Sequence, residues 1–196
     1  VFQDAEPDLT LTGTSGPELI RTSSGEAVVT GLANGKIVAL STVDGSVIWE
    51  YRLARASGKT DISRLVDVDA HVTLIDDRLF VTGYQGDLVA IETATGRVLQ
   101  ATGFSSYRAI QTDGQWLFGV NAQSHVVALD PLDLSIIWTA TDFEYRQLSE
   151  LLVQDGALYA ADRQGFLHVL DSQTGQWLTS RHIDWRGTNS DPVAFA

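Results

Sequence analysis

The stretch Gly35-Lys36-Ile37-Val38-Ala39-Leu40-Ser41-Thr42-Val43-Asp44-Gly45-Ser46-Val47-Ile48-Trp49 decides the fold of this chain. Its apolar residues form two runs that are separated by Asp and Gly, which is the pattern of two strands joined by a tight turn. Degraded copies of the stretch return at residues 86–98, 125–138 and 165–177. A repeat with a period of about 40 residues indicates a repeat architecture, and missing it would misassign the whole fold.

The first copy predicts four strands. We expect them at residues 18–22, 26–31, 35–41 and 46–53, with a tight turn at Asn34-Gly35 because both residue types tolerate positive φ. Ile37 and Ala39 point to one face of the third strand, and Val38 and Leu40 point to the other. Since both faces are apolar, this strand is predicted to be buried on both sides.

Four-stranded antiparallel meanders that repeat at about 40 residues predict an all-β fold of the β-propeller type. The expected blades cover roughly residues 14–53, 68–104, 106–140 and 147–183, within one partial propeller over residues 1–196. Strand fragments are expected at 1–13 and 191–196. The first repeat spacing is the longest, and its extra residues lie in the loop-like segment that follows Leu53.

Four blades and two fragments form an arc rather than a closed ring. Open arcs leave unpaired strand edges, which favour aggregation. We therefore expect that the chain is part of a longer propeller of eight blades. Two arcs could also close one ring as a homodimer of half-propellers, a hypothesis that a monomeric mass by light scattering would contradict.

Composition excludes several classes of function. The chain has 196 residues and a net charge of −12, so it repels phosphate backbones and nucleic-acid binding is disfavoured. It has no cysteine, which excludes thiol catalysis, zinc–thiolate sites and disulfides. Its apolar runs are all shorter than the roughly 20 residues of a transmembrane helix.

The spacing Ala-x-Asp-x-x-x-Gly-x-x-x-Trp resembles the docking motif of quinoprotein-like propellers. Ala128, Asp130 and Trp138 match it, with Leu134 at the glycine position. The first copy has Ala39, Gly45 and Trp49, with Ser41 at the aspartate position; the remaining copies carry Gln100 and Thr179 where tryptophan is expected. We expect the glycine to permit the turn and the tryptophan to fill the space between neighbouring blades.

A more specific resemblance covers essentially the whole chain. The segments Leu9-Thr10-Leu11-Thr12-Gly13, 31–49 and Ile62-Ser63-Arg64-Leu65-Val66-Asp67-Val68-Asp69 are similar to the C-terminal half of the BamB family, the propeller lipoproteins of the bacterial outer-membrane β-barrel assembly machinery. The resemblance implies an eight-bladed, non-enzymatic scaffold at the periplasmic face of the outer membrane, anchored by an N-terminal lipid that this chain lacks. It also implies binding to the POTRA domains of the barrel-forming subunit BamA.

The resemblance places the partner contact on two segments. Leu9 and Leu11 match the family's Leu-x-Leu-Arg segment, with Thr12 where the family has arginine. Asp67 and Asp69 match its two aspartates, and Arg64 lies just upstream. Thr12 removes a multidentate donor, which Arg64 could replace.

Strand topology independently predicts that these two segments cooperate. In an up-and-down blade, the link to the next blade and the turn between the second and third strands lie at the same end. Residues 9–12 precede the first blade and residues 61–69 precede the second, so they are equivalent links. Two alternatives remain open: the leucines pack under the preceding blade, or the aspartates only cap the turn into the next strand.

Other chemistry is sparse in the sequence, and we expect no cofactor, no metal and no catalytic residue. The histidines His71, His125, His168 and His182 fall in separate repeats and at no metal-ligand spacing, which favours strand positions over ligands. The competing functions are a quinone-dependent dehydrogenase, which would need a calcium site, and a generic peptide-binding propeller. Cofactor and calcium titration would separate the first from a scaffold.

Overall fold

The computed structural model describes residues 16–32, 36–53, 72–83, 86–106, 108–187 and 191–194. In these ranges the chain forms strands and turns and no helix. The strands are β1 (Glu18–Thr22), β2 (Gly25–Gly31), β3 (Lys36–Ser41), β4 (Val47–Arg52), β5 (Thr73–Ile75), β6 (Arg78–Val81), β7 (Asp87–Glu92), β8 (Val98–Gly103), β9 (Gln111–Thr112), β10 (Leu117–Val120), β11 (Val126–Leu129), β12 (Ile136–Ala140), β13 (Leu152–Gln154), β14 (Ala157–Ala161), β15 (Phe166–Asp171) and β16 (Trp177–His182).

The strands form four antiparallel sheets of four strands each, in the orders β1-β2-β3-β4, β5-β6-β7-β8, β9-β10-β11-β12 and β13-β14-β15-β16. Each sheet is therefore an up-and-down meander, and we call the sheets blades one to four. The predicted all-β fold of four-stranded blades is confirmed. Residues 191–194 form no strand.

The chain divides into two compact units. The N-terminal unit, Val1–Tyr107, contains blades one and two, and the C-terminal unit, Arg108–Ala196, contains blades three and four. Each unit has its own apolar core, which joins residues of both of its blades. The N-terminal core includes Val29, Ala39 and Leu79, and the C-terminal core includes Phe118 and Leu158.

The third strand is a buried apolar run in blades one to three, as the opening stretch predicts. In β3, Ile37, Val38 and Ala39 are all fully buried, so both faces of the strand are covered. The same holds for β7 and β11, in which Leu88 and Val126 begin equally buried runs. A strand buried on both faces reads as a continuous apolar run rather than an alternating one.

The turn between the third and fourth strands has the same geometry in every blade. The N–H of Gly45 donates to the carbonyl of Ser41 at 2.9 Å, and Gly96 and Gly175 make the equivalent bonds to Glu92 and Asp171. These glycines have φ of 71°, 73° and 70°. In blade three the position is held by Leu134, whose φ of 60° is disfavoured for a residue with a Cβ.

Leu134 offers a test of this turn geometry. An Ala-to-Gly change at an ordinary strand or turn position costs roughly 0.5–1 kcal/mol. At φ near 60° a Cβ is itself penalised by roughly 1–2 kcal/mol, so we expect Leu134→Gly to be at least as stable as Leu134→Ala, although both lose a buried side chain. Urea unfolding followed by circular dichroism measures the order. The same pair of substitutions at the exposed strand residue Ile136 is the control and should show the ordinary order.

A tryptophan on blade one packs against blade two inside the N-terminal unit. Trp49 on β4 is 7% exposed, and its indole N–H donates to the carbonyl of Thr93 at 2.9 Å. Its ring lies over Gly96, where an added Cβ would come within 2.6 Å of the indole. Two features therefore restrict position 96 to glycine: a left-handed φ and the absence of space for a side chain.

The C-terminal unit repeats this arrangement. The half-buried Trp138 on β12 donates its indole N–H to the carbonyl of Ser172 at 3.1 Å, and its ring occupies the space that a side chain at Gly175 would need. In both units the tryptophan of one blade thus contacts the turn of the next blade in the chain. The prediction that the motif tryptophans fill the space between blades is confirmed for these two pairs.

Candidate partner-binding surface

Every blade has two ends. We call one the turn end, because it carries the turns between the first and second and between the third and fourth strands. The other is the link end, which carries the turn between the second and third strands and the link to the next blade. Links are longer and less regular than the tight turns, so they are the natural positions for partner contacts.

The residues that the sequence assigns to the partner contact lie outside the described residues. They are Leu9, Leu11, Thr12, Arg64, Asp67 and Asp69. The link end that the structure does describe in detail belongs to the C-terminal unit. It includes the turns between β10 and β11 and between β14 and β15, the link from β12 to β13, and residues 183–187 after β16.

A buried carboxylate organises this link end. Asp162, in the turn after β14, is 1% exposed. Its Oδ2 accepts hydrogen bonds from Nε of Arg146 at 2.6 Å and pairs with Nε2 of His168 at 3.0 Å. Its Oδ1 caps the turn by accepting the N–H groups of Gln164 at 2.9 Å and Phe166 at 3.0 Å. One side chain therefore fixes the turn, a strand histidine and the link arginine.

The electrostatics of Asp162 follow from these contacts. Burial opposes ionisation of the carboxyl group, but hydrogen bonds from His168, the Phe166 N–H and Arg146 outweigh it, so the pKa of Asp162 is lowered. These hydrogen bonds therefore stabilise the ionised form of the Asp162 carboxyl group. His168 lies in β15, is 3% exposed, and has no hydrogen-bond partner at Nδ1.

Backbone hydrogen bonds fix the link from β12 to β13 against both neighbouring turns. The N–H of Tyr145 donates to the carbonyl of Gln123 at 3.1 Å, and that of Arg163 donates to the carbonyl of Arg146 at 3.3 Å. The N–H of Ser149 donates to the carbonyl of Ala161 at 2.8 Å. The link is therefore a rigid part of the surface, which lowers the entropy cost of binding a partner.

The segment after β16 packs equally closely. The N–H groups of Ile183 and Asp184 both donate to the carbonyl of Gly165, at 2.8 and 3.2 Å. A Cβ at Gly165 would overlap the carbonyl of Asp184, and one at Gly187 would overlap that of Arg163. Both glycines also have positive φ, so close packing and backbone conformation together exclude other residues here.

Two apolar residues after β16 are exposed. Ile183 is 52% exposed and Trp185 is 90% exposed. Leu53 after β4 and Phe143 after β12 hold comparable positions, and both are buried: Leu53 lies over Gly86, and the Phe143 ring is 4.6 Å from that of His168 in the next blade. An apolar side chain that follows the fourth strand thus packs against the next blade in blades one and three.

The described residues provide little for catalysis. They contain no group of three His, Asp or Glu side chains that could hold a metal ion. A cleft of about 550 Å³ in the N-terminal unit lies at the turn end, between β1 and the β5–β6 turn, and Asp76 and Asp77 line it. Two of its hydroxyls are hydrogen-bonded: Ser23 Oγ donates to the carbonyl of Ala94, and Thr22 Oγ1 to that of Gly25. This cleft is a groove between blades one and two.

The described ranges also lack any helix that is long and apolar enough to cross a membrane.

Sequence reasoning missed the Asp162 cluster. A signal was present: at the position of His168, the other three copies have the valines Val38, Val89 and Val127. A histidine at a buried strand position needs a polar partner. The aspartate six residues earlier, at the start of the turn, is the candidate within reach.

The four-stranded blades and their tryptophan contacts define the class: a β-propeller of the quinoprotein-like type. Solved structures agree. The chain is similar to the crystal structure of BamB from Moraxella catarrhalis, with a TM-score of 0.82 and 27% identity over 92% of this chain and 54% of that one. It shares only the fold with a europium-containing methanol dehydrogenase, with a TM-score of 0.68 and 14% identity over 85% of this chain and 41% of that one.

Sequence comparison gives the family. The model of the family "Outer membrane protein assembly factor BamB" matches residues 1–140. Proteins of that name from Escherichia coli strain K12 and Aliivibrio fischeri are 31% and 36% identical to the chain, over 96% and 95% of its length. The chain belongs to the BamB family. It spans about half the length of these relatives, 47% and 48%.

Proposed function

We propose that this chain is part of a non-catalytic scaffold subunit for outer-membrane β-barrel assembly, which binds the periplasmic POTRA domains of a BamA-like subunit. The observation that carries the proposal is membership of a family whose members are named outer membrane protein assembly factors. The proposal includes the periplasmic face of the outer membrane as its location and lipid anchoring of the complete protein. It also includes one propeller formed by both units, eight-bladed when complete.

The physical basis for a scaffold is rigidity. Each unit joins two blades through a shared core and a tryptophan that hydrogen-bonds the next blade, and the described links are held by backbone hydrogen bonds. A preformed surface binds a partner domain without an ordering cost. Positioning a partner requires no chemistry.

We assign the partner contact to Leu9, Leu11, Thr12, Arg64, Asp67 and Asp69. Two leucines with arginine and carboxylates nearby have the composition of a small interface with an apolar centre and a charged rim. The assignment rests on the resemblance of these segments to the family and on their equivalence as links.

The double variant Leu9→Ala/Leu11→Ala tests this assignment. We expect capture of purified POTRA domains by the full-length protein to fall by about tenfold or more, because apolar anchors at an interface centre carry much of the binding energy. Val43→Ala is the matched control, since Val43 is 92% exposed in a turn at the turn end of blade one. Unchanged capture by a folded double variant would show that the patch is wrongly placed.

A further inference from the structure

The groove between blades one and two, at the turn end of the N-terminal unit, has the dimensions of a binding site. Its volume of about 550 Å³ falls within the range of roughly 300–1,000 Å³ that is typical of ligand pockets. Leu19 on β1 and Leu74 on β5 line the groove and are 59% and 39% exposed. Two apolar side chains are therefore accessible in one concave site.

Hydrogen bonds between turns hold the walls of this groove in place. The N–H and the Oγ of Ser23 both donate to the carbonyl of Ala94, at 3.3 and 3.1 Å. The N–H of Thr93 donates to the carbonyl of Asp77 at 2.9 Å. The β1–β2 turn of blade one and the β5–β6 turn of blade two are thus both anchored to the turn between β7 and β8. The groove is preformed, so a partner segment does not have to order it.

Asp76 and Asp77 place two carboxylates in this groove, at the β5–β6 turn. Turn geometry does not require the second one, because the equivalent turn in blade four is Asp155-Gly156, and its glycine has φ of 76°. Within the described ranges, no hydrogen bond or ion pair engages the side chains of Asp76 and Asp77. Both carboxylates are therefore available to a ligand.

The charges around the groove leave these two carboxylates uncompensated. The other charged residues of the lining are Glu26 and Arg21, which are cross-strand neighbours in the β1–β2 pair. Outside the lining, Arg78 lies opposite Glu92 in the β6–β7 pair, and Arg97 bonds the Glu92 carboxylate at 3.4 Å. The groove therefore carries an excess of two negative charges next to apolar surface, which attracts a cation.

We propose that this groove binds a basic and apolar segment of a partner protein, in which a lysine or arginine lies next to an aliphatic residue. The cation pairs with Asp76 and Asp77, and the aliphatic side chain packs against Leu19 and Leu74. The uncompensated carboxylates select a positive charge, and the leucines favour a peptide over a small hydrophilic cation. None of these residues is assigned to the POTRA contact, so the two sites can be tested separately.

Fluorescence anisotropy of the complete protein with a labelled peptide tests this proposal. The peptide has the core Leu-Lys-Leu between glycine and serine residues, and matched peptides have glutamate or uncharged norleucine in place of lysine. We expect the lysine peptide to bind with an affinity that weakens with salt, and the norleucine peptide to bind about tenfold more weakly. The glutamate peptide should not bind, because its carboxylate would face Asp76 and Asp77.

Asp76→Asn is the decisive variant. Asp76 has φ of 53°, which asparagine tolerates as well as aspartate, so the turn is retained while one negative charge is removed. Affinity for the lysine peptide should fall by about fivefold, and by about tenfold or more when Asp77→Asn is added. Asp155→Asn is the matched control, since Asp155 holds the equivalent position in blade four at φ of 51°, and it should leave the affinity unchanged.

Leu74→Ala reports the apolar contribution and should weaken binding of the lysine peptide by about threefold. Leu178→Ala, at an exposed leucine on β16, is its control and should have no effect. No binding of the lysine peptide, equal binding of the lysine and norleucine peptides, or equal effects of Asp76→Asn and Asp155→Asn would each overturn the proposal. Binding of butylamine as tight as that of the lysine peptide would overturn it as well, because the groove would then recognise only a small cation.

Discussion

Trp49→Ala should lower the free energy of unfolding of the N-terminal unit by about 3–5 kcal/mol, the range for removing a large aromatic side chain from a core. Trp49 is 7% exposed and joins the two blades of that unit in one apolar core. Its loss also leaves the buried carbonyl of Thr93 without the indole N–H that it accepts at 2.9 Å. Urea unfolding followed by circular dichroism measures the change.

Two matched variants separate the ring from its hydrogen bond. Trp49→Phe keeps most of the ring that covers Gly96 but cannot donate to Thr93, so we expect it to lose about 1–2 kcal/mol. Trp138→Ala removes the equivalent residue of the C-terminal unit, where it is only half-buried, and should cost less than Trp49→Ala. A loss below about 1 kcal/mol for Trp49→Ala would show that the blades are held together by other contacts.

The blades could be predicted because their determinants are local and repeated. Asp76 and Asp155 mark turns between first and second strands, and both have the positive φ that short acidic residues tolerate, 53° and 51°. The apolar run 37–39 identified a strand buried on both faces. Each of these signals depends on residues that are neighbours in sequence, and each recurs with the repeat.

The candidate surface could be predicted only in outline, because its conformation depends on contacts between distant residues. Nothing in the local sequence requires positive φ at Tyr145 or Gln147; hydrogen bonds to Gln123 and Arg163 hold the link in that form. The salt bridge between Arg146 and Asp162 likewise joins a link to a turn, and the two strands β13 and β14 lie between them in the sequence. Topology predicted that links and second-to-third-strand turns share one end, but not which side chains meet there.

Asp162→Ala should have the largest effect on the C-terminal unit. The substitution leaves the Arg146 guanidinium and Nε2 of His168 without their acceptor and removes the cap of the β14–β15 turn. Removing one member of a buried ion pair costs about 3–5 kcal/mol, and we expect the lower end of that range because the Arg146 side chain stays 31% exposed. Thermal or urea unfolding of the variant measures this loss.

Asp162→Asn separates the contribution of the charge from that of the turn cap. Asn121 holds the equivalent position in blade three, where its Oδ1 accepts the N–H groups of Gln123 at 3.0 Å and His125 at 2.9 Å. Asparagine at 162 therefore keeps the turn cap and loses only the charge that faces Arg146 and His168. We expect it to retain more stability than Asp162→Ala, at a cost of about 1–3 kcal/mol.

The pH dependence of the unfolding free energy shows whether the charge of Asp162 stabilises the fold. Because the pKa of Asp162 is lower in the folded chain than its ordinary value of about 4, the folded state binds this proton less readily than the unfolded state. The stabilisation is complete above that ordinary value and is lost as the pH falls through the folded-state pKa. The stability difference between wild type and Asp162→Asn should therefore be constant near neutral pH and shrink in acid.

Asp142→Asn, at an exposed carboxylate of the same link, controls for the loss of a surface charge. A difference that grows in acid would mean that Asp162 stabilises the link end through its neutral form, and that Arg146 is held by the Phe166 ring instead.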